Sequence, residues 1–140
     1  MIIACATNDG EKFALCHFGD ANQYDIYEMD GSTCRFVETV RNTTGEEEEE
    51  IHADPRKAKG IVDLLSKNNV QVGMTKVFGP NIKRVVKHFV PVIANEDKIS
   101  QGLKALLEDY ERIDRIIADN RKDTYFDLKS GRQVKIKAQK

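Results

Sequence analysis

The first ten residues, MIIACATNDG, contain the longest uninterrupted apolar run of the chain, from Met1 to Ala6. Both alternating sets of positions are apolar, which is typical of a β-strand that is covered on both faces. The Asn8-Asp9-Gly10 sequence predicts a turn after this strand, because Gly10 can adopt a positive φ. We therefore expect residues 1–7 to form an interior strand of a sheet that is packed on both sides.

The residues that follow predict antiparallel strands. Lys12 to Cys16 is interpreted as a short return strand. Gln23 to Met29 alternates in polarity and is followed by a turn at Asp30-Gly31, after which Thr33 to Val40 returns as a further strand. Alternating segments joined by an Asp-Gly turn are a strong hairpin signal.

From residue 54 onward, the pattern changes to alternating helices and strands. Asp54-Pro55 has the features of an N-cap followed by a first-turn proline. The predicted elements are a helix from Pro55 to about Asn69, a strand from Val70 to Phe78, a short helix after Gly79-Pro80-Asn81, a strand from Val90 to Ala94 and one long helix from Ile99 to Ile117. Short connections would place the later strands parallel in the same sheet. The expected fold class is α/β, with a mixed sheet flanked by helices.

The chain is predicted to consist of a domain at residues 1–120 and a basic extension at residues 121–140. The extension holds seven Lys or Arg residues and two Asp residues. Thr124 to Leu128 and Gln133 to Lys137 predict a small accessory hairpin within it. The run from Glu46 to Glu50 predicts a solvated loop, because five adjacent carboxylates repel one another.

Composition narrows the class of protein. The 140 residues carry a formal net charge of −1 and are 40% hydrophobic, so the chain lacks the basic footprint of a dedicated nucleic-acid binder. Three cysteines without C-x-x-C spacing favour a reducing, cytoplasmic setting over a disulfide framework or a structural zinc site. No apolar run approaches the ~20 residues that span a bilayer, and no secretory leader is expected.

Two short motifs carry candidate ligands. Cys16 and His17 are neighbours beside a glycine-permitted bend at Gly19, and thiolate and imidazole suit iron, copper or zinc. The alternative is a buried Cys16 that packs as a small apolar residue and a His17 that lies in a loop. The second motif, from Phe78 to Asn81, precedes a helix start that favours an anion, and Lys76 adds positive charge. Its alternative is an ordinary strand-to-helix turn.

Other chemically active side chains have simpler explanations. Asp9, Asp20 and Asp25 are compared with the carboxylates that nucleases gather around divalent metal ions, and solvated turn residues explain them equally well. Cys5 lies in an apolar strand and Cys34 opens the return strand of a hairpin, so both are expected to be packing residues.

Taken in order, these segments resemble the dinitrogenase iron–molybdenum cofactor biosynthesis family. The matching segments are MIIACATNDG at residues 1–10, CHFGDANQYDIYEM at residues 16–29, the helix from Asp54-Pro55 to Asn69, and VFGPNIK at residues 77–83. The resemblance covers roughly residues 1–110, and the order and spacing of the motifs are more specific than any one of them.

The resemblance implies a ribonuclease-H-like fold without nuclease activity. It also implies the non-catalytic carriage of an anionic metal–sulfur cluster, which would be the iron–molybdenum cofactor, its precursor or a related molybdenum cluster, for an assembly or recipient protein. The histidine of the H-F-G motif corresponds to His17, which joins Cys16 as a candidate metal ligand. The other candidate cofactor-binding residues are Asn8, Asp9, Lys76, Gly79 and Asn81.

The sequence also departs from the family pattern. Lys76-Val77 stands where many members have two glycines, and Glu46 to Glu50 replaces a loop that is often rich in His and Gly. The competing hypothesis is therefore a protein-interaction or regulatory module that keeps the fold without a cluster and uses the Glu-rich loop and the basic extension. A metal-dependent nuclease is a third hypothesis, which rests on fold analogy alone.

Overall fold

A computed structural model describes residues 1–42, 55–80 and 82–136, and only the backbone of residues 55–59. Seven strands form one sheet in the order β3-β2-β1-β4-β5-β6-β7. The strands are β1 (Ile2–Thr7), β2 (Gln23–Met29), β3 (Cys34–Arg41), β4 (Val72–Thr75), β5 (Val90–Ile93), β6 (Thr124–Asp127) and β7 (Arg132–Lys135). The Glu46 to Glu50 segment lies outside the described residues.

Four α-helices and one 3₁₀-helix flank the sheet in the described part of the chain. The α-helices are α1 (Pro55–Ser66), α2 (Ile82–Val85), α3 (Ile99–Glu108) and α4 (Tyr110–Asp119), and the 3₁₀-helix is Phe18–Asp20. None of these described helices is long and apolar enough to cross a membrane. The predicted α/β class with a helix-flanked sheet is confirmed, and the ribonuclease-H-like assignment stays a prediction.

The strand β1 is covered on both faces, as its apolar pattern predicts. It pairs antiparallel with β2 and parallel with β4, so the sheet is mixed. Ile3 and Cys5 point to one face, Ala4 and Ala6 point to the other, and all four are fully buried. Side chains alternate along a strand, so this single segment supplies both apolar layers of the protein.

One apolar layer lies between the sheet and the pair α3 and α4, and we call it the α3–α4 layer. Its buried members include Ile3, Cys5, Phe13, Met74, Val92, Leu103, Leu106, Ile113 and Phe126. The prediction of one long helix is wrong, because the backbone of Asp109 leaves the helical region at φ −107° and ψ 19°. The break allows the apolar sides of both short helices to pack on the same face of the sheet.

The opposite face packs against α1, α2 and the 3₁₀-helix, and we call it the α1–α2 layer. Its buried members include Ala4, Ala6, Phe18, Tyr24, Ile61, Leu65, Val85 and Phe89. This layer positions the two motifs that the sequence identifies, because Phe18 belongs to the first and α2 directly follows the second.

The segment from Lys12 to Cys16 does not form the predicted return strand. Phe13 makes an isolated bridge to Thr7, and Lys12 makes one to Lys98. The Ala14 amide donates to the Ala6 carbonyl, whereas the Phe13 amide donates to the Asp97 carbonyl. The segment therefore alternates between β1 and the chain before α3, which prevents a regular ladder with either.

The basic extension contributes two strands to the sheet. The strand β6 pairs parallel with β5, and β7 pairs antiparallel with β6, so the predicted hairpin is present within residues 124–135. Phe126 of β6 is 2% exposed in the α3–α4 layer. The boundary at residue 120 and the accessory role of the extension stay predictions.

The burial of Phe126 predicts that this residue contributes to the stability of the whole domain. Phe126→Ala should lower the free energy of unfolding by about 3–5 kcal/mol, because it leaves a cavity in a packed layer. Denaturant unfolding measures the effect, with Lys135→Ala on exposed β7 as the matched control. A Phe126→Ala protein as stable as the wild type would instead support the accessory hairpin expected from the sequence.

Candidate functional site

The two motifs that the sequence identifies separately are in direct contact beyond the carboxyl end of β4. The His17 ring lies against the backbone of Gly79, since a Cβ atom at Gly79 would lie only 2.5 Å from Nδ1 of His17. The rings of Phe18 and Phe78 stack with centroids 5.0 Å apart and an interplanar angle of 25°. The structure therefore brings one candidate metal ligand and one candidate anion-binding turn together.

Gly79 is required here for space. A Cβ atom would also lie 2.8 Å from Cγ of His17, and both distances are shorter than real Cβ contacts allow. The obstructing atoms belong to the ring of His17, whose neighbour in the sequence, Phe18, is buried. A larger residue at position 79 would therefore have to displace either the His17 ring or the turn.

Phe18 attaches the first motif to the sheet. Its ring is 2% exposed, and its centroid lies 5.1 Å from that of Tyr24 and 6.0 Å from that of Phe89. Gly73 of β4 makes room for this packing, since a Cβ atom there would lie 3.0 Å from Cζ of Phe18. His17 and Gly19, the neighbours of Phe18, are thus held at a fixed place above the strands.

Two side chains from β2 and the end of β3 hold the backbone of the first motif. The Tyr24 hydroxyl donates to the Phe18 carbonyl at 2.7 Å, and Asn42 Nδ2 donates to the carbonyls of Gly19 at 3.0 Å and Ala21 at 2.8 Å. Burial raises the pKa of Tyr24 well above its ordinary value, with the charges of Cys16 and Asp20 as smaller causes. Tyr24 therefore stays protonated and keeps its role as a donor at physiological pH.

The three thiols differ in their surroundings. Cys16 is half-buried and packs at the margin of the α1–α2 layer. Cys5 is buried as expected, and burial raises its pKa well above the ordinary value. Cys34 is exposed, so the expectation that it packs in the interior is wrong. Its position opens β3, which is an edge strand with both faces largely uncovered.

The donor set at the first motif is small. Nδ1 of His17 lies 4.0 Å from Oδ2 of Asp20, and the Asp20 amide closes the turn by donating to the His17 carbonyl at 2.9 Å. Among the described residues, no group of three or more His, Cys, Asp or Glu side chains is arranged to hold a metal ion. Cys16 and His17 therefore do not form a closed metal site with other described residues.

Lys76 is engaged by a neighbouring carboxylate. Its ammonium group forms an ion pair with Asp97, whose side chain is 74% exposed. The hydrogen bond from Lys76, followed by its charge, lowers the pKa of Asp97 below the ordinary value. The positive charge that the sequence assigns to this region is thus partly neutralised.

Asn8 and Asp9 shape the turn after β1. Asn8 Oδ1 accepts from the Asn22 amide at 2.9 Å, and Asp9 Oδ1 accepts from the amides of Glu11 at 2.8 Å and Lys12 at 2.9 Å. Those backbone hydrogen bonds lower the pKa of Asp9. Both residues line an open cleft of about 330 Å³ that also includes Leu15 and Asp97.

The remaining candidates divide between the described and undescribed parts of the chain. Asn81 lies outside the described residues, and the helix that follows it, α2, has only four residues. Asp25 is buried on β2 and accepts from Thr39 Oγ1 at 2.8 Å and Gln23 Nε2 at 3.1 Å. The structure therefore does not gather Asp9, Asp20 and Asp25 into the carboxylate cluster that the nuclease hypothesis requires.

A comparison with known families identifies the family of the chain. The model of the dinitrogenase iron–molybdenum cofactor family matches residues 1–109, which includes both motifs. The chain belongs to this family. No curated protein matches the chain. Membership in the iron–molybdenum cofactor family indicates involvement in the biosynthesis of that cofactor. The matched region extends from β1 through α3.

Sequence reasoning missed the residues that position the family motifs. The sequence indicates Tyr24 only as one residue of an alternating strand and does not indicate its hydrogen bond to Phe18. Nothing in the local sequence links Asn42 to Gly19. Thr75, the last residue of β4, is fully buried, and its hydroxyl has no hydrogen-bond partner among the described residues. Each of these features depends on contacts between segments that are distant in the chain.

The close approach of His17 and Gly79 predicts a specific sensitivity to added volume. Gly79→Ala should lower the free energy of unfolding by about 1–3 kcal/mol, because the methyl group overlaps the imidazole ring. Denaturant unfolding and the ring resonances of His17 in NMR spectra measure both consequences. Gly31→Ala is the matched control, since a Cβ atom there meets nothing within 4 Å. Equal stability and unchanged His17 resonances in Gly79→Ala would contradict the contact.

Proposed function

We propose that this protein is a non-catalytic carrier that holds an anionic metal–sulfur cluster for delivery during cofactor assembly. The cargo would be the iron–molybdenum cofactor, its precursor or a related cluster. The single observation that supports this most is the contact between His17 and Gly79, which joins the H-F-G motif to the G-P-N turn in a member of the cofactor family. A site built from two turns gives the cargo access from solvent.

The chemistry of the donors supports transient binding. Thiolate and imidazole are suitable ligands for iron and related metals in such clusters. A cluster that carries its own sulfide ligands needs few protein bonds, and a carrier must release what it holds. Cys16 and His17 supply two adjacent donors, and half-buried Cys16 lies at the margin of the apolar layer where a cluster can approach it.

The orientation of the His17 ring selects one nitrogen for the cargo. The Nδ1 edge lies against Gly79 and is 4.0 Å from the Asp20 carboxylate, so a cluster cannot approach it. We assign coordination to Nε2, the opposite nitrogen of the ring. The Asp20 carboxylate lies on the Nδ1 side of the ring, so it leaves the Nε2 side to the cargo.

The surrounding contacts keep the two donors in place before the cargo arrives. Phe18 is anchored by three aromatic rings, Tyr24 donates a hydrogen bond to the Phe18 carbonyl, and Asn42 donates one to the Gly19 carbonyl. Ligands held in position by packing lose little conformational entropy on binding. This preorganisation supports a binding role for the motif.

The other candidate residues are given supporting roles. Asn8 and Asp9 maintain the turn after β1 through their backbone hydrogen bonds. Lys76 attracts an anionic cargo only in competition with Asp97, which already pairs with it. Gly79 provides the space that His17 needs, and a contact of Asn81 with the cargo stays part of the proposal.

The assignment of the ligands is tested by anaerobic reconstitution with iron, sulfide and molybdate, followed by metal analysis per folded protein. Cys16→Ser replaces a soft ligand with a hard one, and His17→Ala removes the imidazole. Each substitution should reduce the retained metal about tenfold or more, because removing a residue at a metal site typically lowers metal affinity by at least that factor. Cys34→Ser is the matched control, because exposed Cys34 opens β3.

Wild-type metal content in both Cys16→Ser and His17→Ala would show that the proposed ligands are wrong. A wild-type protein that retains no metal under any of these conditions would contradict carriage itself. That result would favour the alternative of an interaction module that keeps the fold without a cluster.

A further inference from the structure

A second cleft lies at the opposite end of the parallel strands from His17. It is an open cleft of about 330 Å³ between the turn that precedes β5 and the end of α4. Its rim carries Lys87 and His88 on one side and Arg121 and Lys122 on the other, and all four residues are exposed. We call this the basic cleft. None of its residues belongs to the two motifs of the cargo site.

The basic cleft has an excess of positive charge. The sequence from residue 76 to residue 95 contains no Asp or Glu. Arg121 pairs with Asp123 at 3.3 Å, whereas Lys87, His88 and Lys122 have no ion pair within the described ranges. Two of the three permanent cations on the rim therefore have no partner carboxylate there.

Helix ends explain only part of this charge. Both α2 and α4 end at the basic cleft, and cations near a helix C-terminus offset a partial charge of about −0.5 for each helix. Among the described residues that line the cleft, Lys87, Arg121 and Lys122 are permanent cations and none is a carboxylate.

The apolar residues of the basic cleft are largely closed to a ligand. Val70 and Val86 are 8% and 5% exposed, and half-buried Ile117 lies beside them. The charged rim is therefore the surface that a ligand meets. Phe89, the aromatic residue of the cleft apart from His88, is 5% exposed and offers no face for stacking of nucleic-acid bases.

We propose that the basic cleft binds an acidic segment of a partner protein. The carboxylates of that segment pair with Lys87 and Lys122 on the rim. The net charge of −1 for the whole chain disfavours a nucleic acid as the occupant. Because this cleft and the cargo site lie at opposite ends of the strands, a partner can dock while the cargo is held.

The test uses a fluorescein-labelled peptide, Glu-Glu-Glu-Leu-Glu-Glu, and fluorescence anisotropy at low and high salt. Binding should weaken about tenfold or more in the Lys87→Glu, Lys122→Glu double variant, since like charges then face the peptide. Lys104→Glu, an exposed substitution on α3 outside the cleft, is the matched control and should bind like the wild type. Circular dichroism verifies that each variant is folded.

Two further probes separate the occupants. A peptide with Gln in place of every Glu should bind more weakly than the parent. Binding of a single-stranded oligonucleotide with the same variant dependence, and no binding of the peptide, would overturn the proposal. Peptide binding that the double variant leaves unchanged, or no binding at all, would also overturn it.

Sedimentation measures whether the occupant is a second copy of the chain, which carries its own acidic run from Glu46 to Glu50 followed by Ile51. A monomeric wild type supports a separate partner protein. Self-association that the Lys87→Glu, Lys122→Glu variant abolishes would contradict it.

Discussion

The packing of one aromatic ring, that of Phe18, connects the candidate site to the sheet. The ring is buried among Tyr24, Phe78 and Phe89, so the residues on either side of it cannot move independently of the strands. Its stacking on Phe78 draws the second turn against the first, and Gly79 then accepts the His17 ring at a distance that excludes any side chain. The site is thus a consequence of how the α1–α2 layer is packed.

The parts of the fold that the sequence predicted are those encoded by local patterns. The apolar run of β1, the alternation in the β2–β3 hairpin and the order of the later helices and strands predict the mixed sheet, and Pro55 marks the start of α1. The break at Asp109 was missed because the apolar periodicity continues across it. Lys12 to Cys16 was wrongly interpreted as a strand because its backbone partners, Ala6 and Asp97, lie in separate segments.

The sequence predicts the two motifs of the candidate site, but it does not predict that they are in contact. His17 and Gly79 could be selected by residue type, but their contact depends on the packing of Phe18 and on the hydrogen bonds from Tyr24 and Asn42. Those interactions join residues without any shared local signal. The pairing of Lys76 with Asp97 was likewise invisible, and it weakens the positive charge that residue type alone indicates.

The most direct test of the account is whether His17 coordinates the cargo. The chain has three histidines, His17, His52 and His88, so ¹⁵N-histidine labelling gives few signals. Pulsed electron paramagnetic resonance of the reconstituted protein, in a paramagnetic state of the cluster, detects nitrogen bound to the metal. The account predicts a ¹⁵N coupling that persists in His88→Ala and disappears in His17→Ala. A reconstituted cluster with no histidine coupling, or with a coupling that survives in His17→Ala, would contradict it.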